Sequence, residues 1–239
     1  MEPAVFVTGA DRGLGFAICV GLLEKGWHVF AGQYMPEWPD LSTLGSQYPD
    51  ALHIIPLNVS SGESARAARL AVEKITDRLD VLISNAGVST TTSTRTIREH
   101  PDYNEMHRLY DVNALGALRA VETFLPLMDR GRLKRLCFVS SEAGSIGRAE
   151  RTSWFGYCMS KAALNMGIKI LFNNLHPEGY TFRVYHPGWI RSYMGGKKNR
   201  EGTFEPEEAA AMAIQKLLDT RDDEEHLVMV DCDGKEWPW

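Results

Sequence analysis

Eight residues near the start, Thr8-Gly9-Ala10-Asp11-Arg12-Gly13-Leu14-Gly15, constrain this 239-residue chain more than any other stretch. They follow an apolar run, Ala4-Val5-Phe6-Val7, and lead into a segment with Leu14, Ile18 and Leu22 on one helical stripe. A strand that hands over to a helix through clustered glycines brings exposed backbone N–H groups to the helix N-terminus, where the dipole favours an anion such as a pyrophosphate. Gly9, Asp11, Arg12, Gly13, Leu14 and Gly15 are therefore candidate nucleotide contacts.

The alternation begun there continues almost to the end. Strands are predicted at 27–31, 53–57, 80–83, 133–139, 182–185 and 227–230. Between them stand helix-like segments: one opened by a capping box at Ser60-Ser61-Gly62-Glu63 and carrying Ala68, Val72 and Ile75, a long one over 102–129, another over 157–175, and a last one opened by Pro206 among Glu205, Glu207 and Glu208. Alternating β and α without a Pro- or Gly-rich linker predicts one Rossmann-type, doubly wound parallel sheet of about seven strands with helices on both faces, occupying 1–239 as a single domain.

Composition sets limits on function. The net charge of −5 supplies no basic footprint for nucleic acid. Cys19, Cys137, Cys158 and Cys232 lie far apart, with no paired spacing and no matching His cluster, so neither a metal site nor a disulfide framework is expected. Nothing approaches the roughly 18 apolar residues of a membrane span. Met1 to Val5 run straight into a strand-like segment without a signal-peptide pattern, and the expected location is the cytoplasm.

Further motifs follow in register with the predicted strands: Ser84-Asn85-Ala86-Gly87 after the fourth, Val112-Asn113-Ala114 in the long helix, Ser140-Ser141 after the fifth strand, Tyr157-Cys158-Met159-Ser160-Lys161, and Pro187-Gly188-Trp189-Ile190-Arg191-Ser192 after the sixth. In this order, with the glycine spacing T-G-x-x-x-G-x-G, the chain resembles the single-domain branch of the short-chain dehydrogenase/reductase family over essentially its whole length. Within that family it looks most like small carbonyl reductases of the C-factor and sniffer type.

The resemblance implies an NAD(P)(H)-dependent oxidoreductase acting between a carbonyl and an alcohol. Tyr157 would serve as acid/base, and Lys161, four residues on and so on the same helical face, would favour the phenolate together with an oxidised nicotinamide and bind its ribose. Ser141 would hydrogen-bond the substrate oxygen; Ser140 is the weaker candidate. Asn113 would hold a water linking Lys161 to solvent. Further cofactor contacts implied are Gln33, Asn58, Val59, Asn85, Ala86, Gly87, Pro187, Gly188, Ile190 and Ser192. An acid after the second strand would exclude a 2′-phosphate, but Gly32-Gln33-Tyr34-Met35-Pro36 contains none. Arg12 stands where a cation meets that phosphate, so NADP is favoured, with NAD possible.

The substrate pocket is expected between Ser141 and Tyr157, in the loop after Asn85 and in a substrate loop over about 188–204. Trp154, Phe155, Trp189, Tyr193 and Met194 are its apolar walls, and Gly195-Gly196-Lys197-Lys198-Asn199-Arg200 a lid. A small or medium apolar carbonyl or alcohol is the expected substrate. The alternatives are a 3-oxoacyl-thioester reductase, which would need a basic docking surface, and a non-catalytic NADP sensor, which would not need the Asn113–Ser141–Tyr157–Lys161 set. Apolar residues beyond one helical face (Leu118, Val121 and Leu125; Met166, Ile170 and Phe172) predict a homodimer or homotetramer.

Overall fold

Period-2 alternation along the first strand explains the layering. Ala4 and Phe6 enter one apolar cluster and Val5 and Val7 the other, so the sheet is buried on both faces. The computed structural model describes residues 2–89, 94–194 and 198–239. Its sheet has the order β3-β2-β1-β4-β5-β6-β7-β8. The strands are β1 Ala4–Val7, β2 His28–Gln33, β3 Leu52–Pro56, β4 Val81–Ser84, β5 Arg135–Val139, β6 Thr181–His186, β7 Met229–Asp231 and β8 Glu236–Trp237. All neighbours pair in parallel except β7 and β8.

One face carries α1 Gly13–Leu23, α2 Asp40–Gln47 and α7 Pro206–Leu217; the other carries α3 Gly62–Glu73, α5 Gly116–Met128 and α6 Phe155–Leu175. The strand order reverses between β1 and β4. In open α/β sheets that reversal leaves a crevice at the strands' carboxyl ends, and the glycine turn, Asn85 and Ser141 all lie at such ends.

The long predicted helix is interrupted at its functional point. α4, Tyr103–Tyr110, passes through a π turn at Asp111–Leu115 into α5, with the Gly116 amide bonding back to the Asp111 carbonyl. Arg119 fastens the turn through a 2.6 Å bond to the Asp111 carboxylate and a 3.2 Å bond to the Val59 carbonyl.

Several expectations need correction. The helix cap at α3 is Ser61, whose hydroxyl accepts from the Ser64 amide, so Glu63 does not complete a box, and Ile75 lies exposed beyond the helix. The expected parallel sheet of about seven strands is extended at its edge by β8, a two-residue antiparallel strand. Val121 and Phe172 are buried within the chain's own core, because α5 and α6 pack on the sheet and on each other, Gly167 facing Leu118. They are not available to a second subunit. Among the described residues no helix is long and apolar enough to cross a membrane, and no cluster of His, Cys, Asp and Glu is arranged to hold a metal ion.

Candidate active site

The glycine turn is built by what its neighbours require. Gly9 adopts a φ of +62°, and a Cβ there would stand 2.8 Å from the Ala86 Cα. The Thr8 hydroxyl accepts from the Asn85 and Ala86 amides, and the Asn85 carboxamide donates to the Thr8 and Gly9 carbonyls, all at 3.0 Å. The turn after β1 and the turn after β4 are thus one unit. At α1 the residue before the helix, Arg12, makes no side-chain cap to the helix amides, and Leu14 is buried beneath. Uncapped amides beside close-packed glycine backbone make a cradle suited to a pyrophosphate. Ser192 borders it, its Cβ 3.5 Å from where a Gly13 Cβ would lie.

Not every expected contact points into this cradle. Asp11 is buried and accepts from the Tyr34 and Met35 amides at 2.8 and 2.9 Å, so its carboxylate shapes the loop after β2. Asn58 accepts from the Ser60 amide at 3.0 Å and forms a turn. Val59 is core, packed on Gly116. Gln33 closes β2, half-buried, and Ile190 forms a bridge with Phe204, whose ring lies against Gly188; Pro187 is buried beside it. Arg12 lies with its guanidinium 4.8 Å from the Trp38 ring centroid and 5.7 Å from that of Tyr193, its side chain in reach of the Met35 sulfur.

The four chemical residues converge across three elements. Lys161 and Tyr157 come from the first turns of α6, Ser141 from the end of β5 and Asn113 from the π turn; all four are buried. A Cβ on Gly87 would lie 3.5 Å from the Asn113 Oδ1 and 3.8 Å from the Lys161 Nζ, so the segment after β4 joins the same cluster. The Asn113 carboxamide accepts from the Val88 amide at 2.8 Å and donates to the Val88 carbonyl at 2.9 Å and the Ser160 hydroxyl at 3.0 Å. Its side chain is therefore a clip between the β4 loop and α6. Ser160 donates in turn to the Tyr157 carbonyl at 2.8 Å, a role that its place inside the Tyr-to-Lys motif did not reveal.

Ser140 and Ser141 point to different partners. The Ser140 hydroxyl turns inward to donate to Asn165 at 2.6 Å, and Asn165 donates to the Gly144 carbonyl at 3.2 Å. Ser141 caps the turn by accepting from the Ala143 amide at 3.1 Å and hydrogen-bonds with Tyr157.

Burial dominates the electrostatics. It pushes the Tyr157 phenol up to about 12, against the hydrogen bond from Ser141. Lys161, buried with its ammonium donating to the Val139 carbonyl at 3.0 Å, is itself depressed to about 8 by desolvation. Trp154, at the head of α6, holds a left-handed φ of +67°, costing about 1 kcal/mol for a residue with a Cβ, and presents its ring edge-on to Tyr157 at 6.0 Å. Phe155 is half-buried beside it, while Trp189 is exposed.

Sequence reasoning missed a bidentate pair here. Arg151 donates to both oxygens of Glu142 at 2.6 and 2.7 Å, linking the residue after Ser141 to the approach to Tyr157. Only the longer Ser141-to-Tyr157 spacing hinted at it. Arg151 favours the phenolate and Glu142 opposes it. In Arg151→Ala the carboxylate faces Tyr157 unneutralised, so any pH limb set by the Tyr157 phenol moves to higher pH, by about half a unit for a pair so open to solvent. Glu142→Gln moves it the other way. A limb fixed in both variants removes the pair from the site's electrostatics.

The segment expected to be a substrate loop and the loop after Asn85 meet where the Ser89 amide donates to the Met194 carbonyl at 3.2 Å. Gly195, Gly196 and Lys197 of the expected lid lie outside the described residues; Lys198 pairs with Glu205 at 3.5 Å.

The short chain dehydrogenase family pattern matches residues 3–202. C-signal of Myxococcus xanthus is 35% identical over 71% of this chain and 98% of its own. A short-chain dehydrogenase/reductase of Burkholderia multivorans, solved with NADP bound, superposes with a TM-score of 0.87 at 30% identity over the whole of both chains. An NADPH-bound carbonyl reductase from chicken fatty liver gives 0.86 at 27% identity, again over both whole chains.

Proposed function

From the premise that this chain belongs to the short-chain dehydrogenase family, we propose that it is an NADP(H)-dependent oxidoreductase interconverting a small or medium apolar ketone or aldehyde and its alcohol. The observation that carries this reading is the buried meeting of Ser141, Tyr157 and Lys161, with Asn113 clipping the β4 loop to the helix that bears the last two. In reduction, the Ser141 and Tyr157 hydroxyls are paired donors for a carbonyl oxygen, and Tyr157 releases its proton as negative charge develops there. A phenol held at about 12 is protonated at neutral pH, the form a proton donor needs. Lys161, poised near 8, is placed to favour the phenolate so formed and to re-supply a proton. The reduced nicotinamide, when bound, supplies the hydride.

Gly9, Gly13, Gly15, Asn85, Ala86, Gly87 and Ser192 surround the cradle that would hold the cofactor, and Lys161 would hold its nicotinamide ribose. NADP is favoured over NAD by three observations: no acid follows β2 before Glu37, the Asp11 carboxylate is tied to backbone amides, and Arg12 stands at that edge, braced by two aromatic rings. The Burkholderia and chicken relatives are solved with this cofactor. The subgroup of small carbonyl reductases, and a cytoplasmic place of action, belong to the same reading.

The test is a panel of apolar aldehydes and ketones followed by the absorbance of NADPH and, in parallel, NADH. Consumption with NADPH well above that with NADH is expected; consumption with no carbonyl at all overturns the reading. A homodimer or homotetramer is part of it, resting now on exposed Met166 and Ile170 of α6 rather than on Val121 or Phe172. Light scattering on the same preparation decides that point, a monomer refuting it.

A further inference from the structure

The segment between Ser141 and Tyr157 is surface from Ile146 to Thr152, held internally by short turns and by the Glu142–Arg151 pair. Its further anchors come from the far end of the sequence. The Ser145 hydroxyl donates to the Pro238 carbonyl at 2.5 Å and the Gly147 amide to the Trp239 carbonyl at 3.1 Å. The Arg148 guanidinium lies 4.9 Å from the centroid of the Trp237 ring. That ring also meets His186 edge-on at 5.7 Å, and His186 closes β6 immediately before the Pro187-Gly188 turn.

Trp237 is itself set in place. Buried Asp231 accepts from its indole N–H at 2.8 Å through one oxygen, while the other accepts from the Asp233 and Lys235 amides at 3.0 and 2.9 Å. Asp231 thus shapes the β7–β8 hairpin and aims the indole between two segments that border the catalytic residues.

We propose that Trp237, with Pro238 and Trp239, is a strap that positions the 145–151 segment relative to Tyr157 and so sets how the apolar part of the substrate is held. These are positioning residues: their bonds and ring contacts are with Ser145, Gly147, Arg148, His186 and Asp231. The assignment to substrate rests on the reductase reading above; the mechanical role does not.

Trp237→Ala and Trp237→Phe are compared with the wild type by amide hydrogen exchange, NADPH titration and steady-state kinetics on the carbonyl panel. In Trp237→Ala the Gly147 amide loses its protection while β1, β4 and β5 keep theirs. NADPH affinity stays within about twofold, as for a site not in contact with the change, and kcat/KM falls by about ten- to a hundredfold, unevenly across the panel. Trp237→Phe retains the ring and restores most of both. Unchanged Gly147 exchange in folded Trp237→Ala overturns the strap, as does a uniform kinetic loss matched by loss of NADPH affinity. If Trp237→Ala does not fold, Ser145→Ala, which removes one hydroxyl, is read by the same exchange criterion. A wild type inactive on every carbonyl overturns the reductase reading instead, and the Gly147 exchange then decides the strap alone.

Discussion

Tyr157→Phe is expected to bind NADPH as the wild type does and to lose carbonyl reduction by about a thousandfold, within the range that positioned acid catalysis supplies. The substitution removes one oxygen from a buried ring and leaves its edge contact with Trp154 in place. Nothing nearby replaces the lost proton. The Ser141 hydroxyl is too weak an acid, and the Lys161 ammonium points to the Val139 carbonyl. Stability changes little, because the buried phenol loses its desolvation cost along with its bond to Ser141, a net effect of about 1 kcal/mol either way. Thermal unfolding, NADPH titration and kcat on one preparation separate these effects. A variant retaining a tenth or more of wild-type kcat removes Tyr157 from the chemistry.

Gly15→Ala is the second large effect, and it acts through the cradle. An ideal Cβ at Gly15 falls 2.2 Å from the Gly9 carbonyl oxygen and 2.4 Å from the Asn85 Nδ2. Neither neighbour has room to yield: the Gly9 oxygen belongs to backbone, and the Asn85 amide is held by two carbonyls that join the turns after β1 and β4. The methyl group must displace the turn that presents the helix amides. NADPH affinity is expected to fall by about a hundredfold, equivalent to about 3 kcal/mol, and Tm by about 5 °C. Gly26→Ala is the control. Its φ of +77° strains the backbone, but nothing lies within 4 Å, so it costs about 1 kcal/mol of stability and spares the nucleotide. Equal NADPH affinities in the two variants contradict the role given to Gly15.

The parts legible in the sequence were those with strong local signals. β1 is apolar throughout, β5 is apolar from Leu136 to Val139, and the glycine turn follows the first of them. The motif order placed Asn113, Ser141, Tyr157 and Lys161 in one cluster, and the structure brings them together. What stayed hidden depends on distant partners or on too few apolar residues. α2 carries only Leu41 and Leu44 as buried positions among polar residues and Gly45, so it leaves no extended periodic stripe. β8 has two residues and exists because Asp231 orders the turn before it. Asp11 reads as a ligand by its place in the glycine turn, yet its carboxylate serves the backbone after β2, a contact across 23 positions that no local pattern encodes. The Glu142–Arg151 pair and the strap lie in the same category.

The most direct test of the central claim is the mass of the alcohol made from the best carbonyl of the panel when NADPH carries deuterium at its transferable position. One deuterium on the carbinol carbon is expected with the wild type, and essentially no labelled product with Tyr157→Phe over the same time. Alcohol formed without the label, or labelled equally fast by the variant, would contradict that claim.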